Sequence, residues 1–326
     1  MAYNRTSQHV LYVTSVSNLV HDSIVIKVRF CIKIMKTITD IDSGYELNSL
    51  SKKLFNSAFI PLLCVLPAKS KEFVRKSHKS VEEVVDNATT HAALEVLYRN
   101  GDKHNVRSMF DKLFHRIWFS TNNSKAVRNR IHFVKKTLSR ELNQLNKENT
   151  NIRILSIASG SARAVIESID GIKFKQGCKL SVVFLDKNPE ALKYSQKLLK
   201  DYNLDDSNDY SWINGTAGSF VRGCKKDQFD IIEMVGLLDY FNDEKAVEIF
   251  KDIRNTLSLG GYFITANINF NSEQRFVTRV VGWDMIYRTG EQLGELLLKA
   301  GFSQDEVQVY YEPLKLHSIA VVNKKQ

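Results

Sequence analysis

The chain has 326 residues and a formal net charge of +10, with 43% hydrophobic and 25% charged residues. These proportions are ordinary for a folded globular protein and argue against general disorder. No run approaches the roughly 18 apolar residues of a membrane-spanning helix. The four cysteines are widely separated and lack the paired spacing of metal ligands, as expected of reduced thiols in a cytoplasmic protein.

The positive charge is concentrated in the first half of the chain. Residues 1–150 hold 24 Lys and Arg against 13 Asp and Glu, whereas residues 151–326 hold 22 against 23. A basic half can face RNA, an anionic membrane surface or an acidic substrate carrier, or it can be a solvated helical surface. Charge alone leaves these alternatives open.

The first third of the chain predicts an extension followed by helices. Residues 1–46 form an uncertain N-terminal extension, in which the alternation over 10–34 favours strands and no signal peptide is indicated. From residue 47 to 146 apolar residues recur at a spacing of three and four, which predicts a basic helical domain. Its helices are expected at 81–98, 106–118 and 125–145.

Residues 147–326 predict a second domain with a parallel sheet, because strands alternate with helices there. The expected strands lie near 152–158, 180–186, 210–214, 229–235 and 261–268, and the expected helices near 162–170, 189–203, 244–257 and 289–299. Two final strands, 306–311 and 316–322, are too close together for a parallel crossover and must form a hairpin. The predicted fold is a Rossmann-like α/β sheet of five parallel strands closed by an antiparallel C-terminal hairpin.

The first strand of this domain ends at a turn, Ser159-Gly160-Ser161, that opens the next helix. Gly160 allows a ligand to approach the main chain, and Asp186 ends the second strand, where a ribose diol would be held. A dinucleotide would want three glycines, of which this turn has one. S-adenosylmethionine carries no phosphate and needs one close glycine, so it suits the turn better than a dinucleotide does. The alternative is an ordinary strand-turn-helix.

Several motifs in residues 125–326 resemble class I S-adenosylmethionine-dependent methyltransferases. They are Ile154-Leu-Ser-Ile-Ala-Ser-Gly160, Phe184-Leu-Asp186-Lys-Asn-Pro, Phe229-Asp-Ile-Ile-Glu233 and Leu259-Gly-Gly261. The resemblance implies S-adenosylmethionine as cofactor, bound by Ser159, Gly160, Ser161, Asp186, Lys187, Asn214, Thr216 and Glu233. The chain departs from the family pattern at Ser156 and over 213–216, where many members have an acidic residue.

Further motifs resemble a bacterial subgroup of the extracellular-factor type, which is linked to methyl esters of 3-hydroxy fatty acids. They are Thr89-Thr90-His91, Ala126-Val-Arg128-Asn-Arg130, Gly236-Leu-Leu-Asp239-Tyr240-Phe, Thr265-Ala-Asn267 and Gly282-Trp283-Asp-Met-Ile-Tyr287-Arg288-Thr289. This resemblance implies a small or lipid-like carboxylic acid as methyl acceptor. An acyl carrier or an anionic membrane surface would give the basic half a role, and we expect a cytoplasmic protein at the membrane periphery.

The candidate catalytic residues are Asp239, Tyr240 and His91. A carboxylate acceptor needs no general base, whereas an alcohol or amine does, and Glu233 is a further candidate for that role. The competing interpretations are that Asp239 caps the helix beginning near residue 243 and that His91 is an ordinary helical residue.

The candidate substrate-binding residues come mainly from a long connection before the last helix. Residues 269–288 are expected to cap the acceptor site, because they far exceed a usual loop of about 2 to 6 residues. Tyr240, Trp283 and Tyr287 could line an apolar pocket, Arg279 or Arg288 could pair with a carboxylate, and Asn267 lies nearby. The competing explanation is that the aromatic residues pack in the core and that the arginines are ordinary surface charges.

Two other functions stay open. An RNA methyltransferase would use the basic half, although the chain has no Asn/Asp-Pro-Pro-aromatic tetrapeptide after the fourth strand and no Pro-Cys nucleophile. A non-catalytic methyltransferase-like binding protein is the third interpretation, and the intact turn with Asp186 argues against it.

Overall fold

The computed structural model describes residues 20–21, 24–25, 36–48, 90–99, 118–148, 151–204 and 208–325, with a few isolated positions between 65 and 86. The chain divides into two compact units, residues 1–35 and 36–326. In the first unit, Val20–His21 pairs antiparallel with Ile24–Val25. The second unit holds everything described below.

An eight-stranded sheet forms the centre of the second unit. Its strands are β1 (Thr37–Thr39), β2 (Asn151–Ile157), β3 (Lys179–Asp186), β4 (Asp209–Asn214), β5 (Phe229–Val235), β6 (Leu257–Ile268), β7 (Val307–Tyr311) and β8 (His317–Asn323). Their spatial order is β1-β7-β8-β6-β5-β2-β3-β4. Strands β2 to β6 pair in parallel, and β8 runs antiparallel to both β6 and β7.

The strand order reverses between the neighbouring strands β2 and β5: β3 and β4 follow beyond β2, and β6 lies beyond β5 in the other direction. Ligands of open α/β sheets bind outside the carboxyl ends of the strands at such a switch point. The registers place Ser156 of β2 opposite Glu233 of β5. The fold therefore positions a ligand site near the ends of these two strands.

Seven helices of the described residues surround the sheet. They are α1 (His91–Tyr98), α2 (Asn122–Glu148), α3 (Arg163–Asp170), α4 (Pro189–Asp201), α5 (Ala217–Gly223), α6 (Asp243–Thr256) and α7 (Gly290–Lys299). A 3-10 turn spans Leu238–Tyr240, and a short helical turn, Gln274–Phe276, continues as a π-helix over Val277–Val281. None of the described helices has both the length and the apolar character that a membrane span requires.

Helix α2 packs on the sheet through one apolar face. Phe133, Val134, Leu138 and Leu142 recur at helical spacing and lie in the same core as the strands. The start of α2 is held by Glu273, whose carboxylate accepts the backbone N–H groups of Asn122 and Asn123 at 2.8 Å each. Since first-turn amides lack partners within a helix, this distant carboxylate ties the segment before α7 to α2.

The predicted fold class is confirmed. The five parallel strands, the terminal hairpin and the helices between them lie within a few residues of their expected positions. Two elements were not predicted: β1, which pairs in parallel with β7, and the short helix α5. β1 belongs to the part of the chain that the sequence assigned to an extension.

Much of the predicted helical domain lies outside the described residues, including the helix expected at 106–118 and most of the segment before residue 90. Of the helix expected at 81–98, residues His91–Tyr98 are described as α1, and the helix expected at 125–145 is α2. The division of the chain at residue 147 into two domains stays a prediction.

Candidate active site

The glycine turn after β2 borders a cleft with about 530 Å³ of space not filled by protein. Three residues of this turn have left-handed backbone angles, Ala158 (φ 51°), Gly160 (φ 54°) and Ala162 (φ 56°). For the two alanines this conformation costs about 1–2 kcal/mol each. Backbone strain of this kind concentrates at functional sites, so the turn is shaped for more than a chain reversal.

The amides of this turn are used inside the protein. Ser159 N–H donates to the Leu185 carbonyl at 2.9 Å, and Ala162 N–H donates to the Ser159 carbonyl at 2.6 Å. Gly160 N–H donates to a carboxylate oxygen of Asp186 at 2.8 Å. The Gly160 N–H is therefore bound within the protein and is not available to a ligand. Its role is its backbone conformation and the space left by its missing side chain, since a Cβ there would lie 3.4 Å from His91 Cβ.

Asp186 fixes the geometry of the turn. One carboxylate oxygen accepts the Gly160 amide, and the other accepts the Asn188 N–H, also at 2.8 Å. Each oxygen keeps lone-pair capacity for one more donor, because a carboxylate accepts up to four hydrogen bonds. Asp186 can thus hold the turn and a ligand hydroxyl at once.

His91 lies over the glycine turn at the start of α1, where it lines the cleft. Its Nδ1 is buried without a hydrogen-bond partner among the described residues, and so is the Ser159 hydroxyl oxygen. Burial lowers the pKa of His91 below its usual 6.5, against the charges of Asp186, Glu95 and Glu190. A buried polar atom without a partner is costly unless a ligand supplies one. His91 therefore belongs to the cleft and is not simply a surface helical residue.

Helix α1 is clamped onto α3 by an ion pair. Arg163 donates to both carboxylate oxygens of the buried Glu95, at 2.6–3.2 Å, and Tyr194 donates to Glu95 at 2.9 Å. Arg163 also donates to Glu167 at 2.7 Å. These bonds place His91 above Gly160.

Glu233 closes the cleft at the end of β5. Ser156 of β2 donates its hydroxyl to the Glu233 carboxylate at 2.7 Å. Burial raises the pKa of Glu233 from 4.5 to about 7, although the Ser156 hydroxyl, the Val235 amide and the charge of Arg130 all lower it. Ser156, which stands where many family members have an acidic residue, thus donates a hydrogen bond to the Glu233 carboxylate.

The other predicted cofactor residues lie at the sheet edge beyond the cleft. The Asn214 side chain donates to the carbonyls of Asp186 and Lys187 at 3.1 and 3.0 Å and so ties β4 to β3. Thr216 precedes α5 and bonds to Ser219. Lys187 is exposed. Ser161 lines the cleft with Ser159 and Gly160.

A second, mainly apolar cavity of about 750 Å³ lies beside the cleft, and Leu94 lines both. Its walls come from α1, α2, the end of β6 and the segment 269–288. They include Leu97, Trp118, Val127, Ile268, Phe276, Val277, Val281, Trp283 and Met285. The segment 269–288 therefore forms one wall of the cavity, and a mainly apolar pocket with a few polar groups suits a small organic ligand.

The cavity contains a buried charge pair. Arg130 of α2 and Asp239 of the 3-10 turn are both about 4% exposed, with 3.9 Å between Arg130 Nη1 and Asp239 Oδ2. Arg130 Nε has no hydrogen-bond partner among the described residues, and its guanidinium bonds to the Tyr98 hydroxyl. At 3.9 Å the pair is an incomplete match, so Arg130 retains capacity to bind an anion.

Asp239 does not cap the helix that follows it. The cap of α6 is Asn242, whose side chain accepts the Lys245 N–H at 3.0 Å. Asp239 instead accepts the Ile268 N–H at 2.8 Å and faces Arg130. Burial raises the pKa of Asp239, and the Arg130 charge opposes that shift.

The predicted aromatic residues separate into two groups. Trp283 and Tyr240 line the cavity, and the Trp283 indole N–H donates to the Tyr240 hydroxyl at 2.6 Å. Burial raises the pKa of Tyr240 to about 12, so its hydroxyl stays protonated. Tyr287 packs against Phe270, with ring centroids 6.1 Å apart, and is not among the residues that line the cavity.

The predicted carboxylate-binding arginines do not reach the cavity. Arg288 is buried and donates to Asp243, Asn267 and the carbonyls of Leu238 and Phe241, so it holds the chain after β5. Asn267 is fully buried and also bonds to the Ile286 carbonyl. Arg279 is exposed on the π-helix. Arg288 and Asn267 therefore stabilise the surrounding chain, whereas Arg130 is the arginine that lines the cavity.

Arg130 belongs to the motif Ala126-Val-Arg128-Asn-Arg130 but is not among the substrate-binding residues that the sequence predicts. The available signal was its spacing: Arg130 follows Ala126 by four residues and precedes Val134 by four, which places it on the apolar face of α2. A cation on an apolar helix face is rarely left without a partner or a function. Among the described residues, no group of three or more His, Cys, Asp or Glu could hold a metal ion.

A family model matches most of the chain. Residues 83–321 match the model of a family described as "Putative methyltransferase". The chain belongs to this methyltransferase family. The prediction of a methyltransferase, and hence of an enzyme, is confirmed, and the match begins well before the predicted domain boundary at residue 147. The finer resemblance to the extracellular-factor type stays a prediction.

One solved structure with a TM-score above 0.5 shares the fold, and a second aligns less well. A "possible exported protein" from Bordetella parapertussis aligns with a TM-score of 0.61 at 14% identity, over 86% of this chain and all of the other. Magnesium protoporphyrin IX methyltransferase from Synechocystis PCC 6803 with bound SAH gives a TM-score of 0.48 at 11% identity, over 63% of this chain and 88% of the other. No curated protein matches the sequence.

The cleft of this methyltransferase fits S-adenosylmethionine, the predicted cofactor. Its lining includes apolar residues such as Leu94 and Val134, together with Ser159 Oγ and His91 Nδ1, which have no hydrogen-bond partner among the described residues. Among its described lining residues Glu233 is the one acidic side chain. A ligand with an apolar body, hydroxyl groups and a positive charge satisfies these groups.

Proposed function

We propose that this protein transfers the methyl group of S-adenosylmethionine to the carboxylate of a small or lipid-like acid and forms a methyl ester. The observation that carries the proposal is the buried, incompletely paired Arg130 in the mainly apolar cavity beside the cleft. A buried cation without a close partner is unfavourable, and an acid with an apolar body would both pair with it and fill the cavity.

Methyl transfer to a carboxylate requires mainly that the protein positions the acid beside the methyl group. S-adenosylmethionine supplies the methyl group as a sulfonium, and the S–CH₃ bond breaks as an O–CH₃ bond forms. Arg130 would hold one carboxylate oxygen and leave the other free to attack. The apolar walls around Trp283 exclude water, and positioning alone can lower such a barrier by about 7–11 kcal/mol.

Incubation with methyl-labelled S-adenosylmethionine tests this proposal. We expect label in the lipid and organic-acid pools of a fractionated extract, in a form that alkali releases as an ester. Label mainly in RNA, with none in those pools, would favour the RNA methyltransferase instead. No label in any pool, despite cofactor binding, would favour the non-catalytic binding protein.

The delivery of the acid forms part of the proposal. A lipid-like acid would come from an anionic membrane surface or an acyl carrier, with the enzyme in the cytoplasm at the membrane periphery. Ile286 supports this, because it is an exposed apolar residue, 38% accessible, next to Met285 of the cavity wall, and Phe270 of the same segment is 54% accessible. Exposed Lys and Arg near anionic lipid would add about 1 kcal/mol each.

Replacing Trp283 with alanine should impair acceptor use more than cofactor binding. Trp283 lines the cavity and not the cleft, so its loss removes acceptor contacts and the hydrogen bond to Tyr240 but no contact with the cofactor. We expect the acceptor KM to rise about tenfold, equivalent to ~1.4 kcal/mol, with the Kd of S-adenosylmethionine unchanged. Steady-state kinetics and calorimetry measure the two effects, and Tyr240→Phe, which removes only the hydroxyl, is the matched control. Equal losses of both would contradict a wall role.

The variant Asp239→Asn distinguishes a carboxylate acceptor from an alcohol. If Asp239 were a general base, its loss would lower kcat by about 10²–10⁴. With a carboxylate acceptor we expect a loss below about tenfold, since asparagine still accepts the Ile268 N–H and no proton has to be removed. Single-turnover rates with saturating acid check this. A thousandfold loss without a change in thermal stability would contradict ester formation.

A further inference from the structure

We propose that Glu233 recognises the sulfonium charge of the methyl donor and thereby distinguishes the donor from its demethylated product, S-adenosylhomocysteine. This inference rests on the proposed cofactor and adds a role for one residue of its site. The two ligands differ by one methyl group and one positive charge, so a group that separates them must sense that charge.

The position of Glu233 supports the assignment. It lies two residues before the end of β5 at the switch point of the sheet, opposite Ser156 of β2, and lines the cleft together with the glycine turn. Its side chain is 7% exposed, so a charge there is poorly screened by water. Among the described lining residues it is the one carboxylate, whereas Asp186 is held by two backbone amides beside the cleft.

Glu233 receives hydrogen bonds but has no close cation among the residues that the structure describes. The Ser156 hydroxyl donates to it at 2.7 Å, and the Val235 amide also bonds to it. The charged or titratable groups around it are Arg130 on α2, Tyr98 and His91 on α1 and Arg163 on α3. Arg163 is bound to Glu95 and Glu167, and Arg130 is turned toward Asp239. A ligand cation is the missing partner.

The protonation of Glu233 follows from this arrangement. Burial raises its pKa to about 7, so the ligand-free protein holds it largely protonated below neutral pH. A sulfonium favours the ionised form, and its binding should release a proton below pH 7. The neutral thioether of the product offers no such gain. Discrimination between the two ligands should therefore increase as the pH rises.

Calorimetric titration of both ligands at pH 6 and pH 8 tests the inference. We expect the ratio of the product Kd to the donor Kd to rise about tenfold from pH 6 to pH 8 in the wild type, as a single linked ionisation near pH 7 requires. In Glu233→Gln the ratio should be smaller and independent of pH. Taking the ratio cancels the titration of His91, because both ligands share the rest of the site.

A second variant and a second readout keep the test independent of folding losses. Ser156→Ala removes a hydrogen bond to the carboxylate, so the midpoint of the pH dependence should move to higher pH. The unliganded wild type should also lose stability as the pH rises from about 4.5 to about 7, because the folded protein binds the proton more tightly than the unfolded chain. In Glu233→Gln this loss should be smaller by the contribution of Glu233, because the raised pKa of Asp239 acts in the same direction in both proteins.

The outcomes separate this inference from the proposed function. A wild type that binds neither ligand overturns the proposed cofactor and with it the inference. A wild type that binds both, with a ratio independent of pH, overturns the role of Glu233 alone. If Glu233→Gln weakens both ligands equally, the carboxylate binds the shared ammonium group instead, which also overturns the inference.

Discussion

Replacing Asp186 with alanine is expected to lower the affinity for S-adenosylmethionine and for its demethylated product at least tenfold. Asp186 would accept the ribose hydroxyls, and a hydrogen bond to a charged group is worth about 1.5–3 kcal/mol. The variant also removes the acceptor of the Gly160 and Asn188 amides, so the glycine turn loses its fixed geometry. Because both effects act on the same ligand, tenfold is a lower bound.

Calorimetry on the folded variant provides the measurement, and Asp201→Ala is a suitable control because Asp201 is an exposed aspartate at the end of α4. Unchanged affinity in a folded Asp186→Ala protein would remove Asp186 from the site. Tight binding of NADH by the wild type would be just as damaging, since it would show that the single-glycine turn accepts a dinucleotide.

Replacing Arg130 with methionine is expected to lower kcat/KM for an acid acceptor about 10²-fold or more. Methionine keeps an apolar side chain of comparable length but removes a paired set of charged hydrogen bonds, each worth about 1.5–3 kcal/mol. The Kd of S-adenosylmethionine should change much less, because Arg130 lines the cavity and not the cleft. Steady-state kinetics with a purified acid measure the first effect, and calorimetry measures the second.

Arg130→Met also leaves Asp239 buried without its cation, and removing one partner of a buried pair costs about 3–5 kcal/mol of stability. The double variant Arg130→Met with Asp239→Asn removes both charges and should recover thermal stability but not acceptor use. Arg279→Met is the matched control, because Arg279 is an exposed arginine of the neighbouring segment. If Arg279→Met lost activity and Arg130→Met kept it, the original assignment of Arg279 to the carboxylate would be restored.

The local pattern of the sequence was sufficient for the elements of the sheet. Strands β2, β3 and β5 are short apolar runs, and β2 and β3 are each followed by a turn and an amphipathic helix, so period and length identify them without knowledge of distant contacts. The hairpin followed from the four residues between its strands. The glycine turn and Asp186 were found for the same reason, because their roles depend on their places at the carboxyl ends of consecutive strands.

Strand β1 was not predicted because it has three residues and pairs with β7, far away in the chain. No periodicity develops over so short a segment, and its pairing partner supplies all of the stabilisation. The same limit applies to α5, whose seven residues, Ala-Gly-Ser-Phe-Val-Arg-Gly, include two glycines, a residue with low helix propensity.

The sequence by itself determined the fold class, the family resemblance and the position of the cleft, because these depend on patterns within a few residues of one another. Only the tertiary structure decided which charges face the ligand. Arg288, Arg279 and Arg130 are all arginines with no local pattern that tells their roles apart. In the structure Arg288 is buried and bonded to Asn267, Arg279 is exposed, and Arg130 lines the cavity. These roles depend on burial and on contacts between residues that are distant in the chain. Burial also raises the pKa of Glu233. A local sequence pattern indicates neither the burial of a side chain nor its distant contacts.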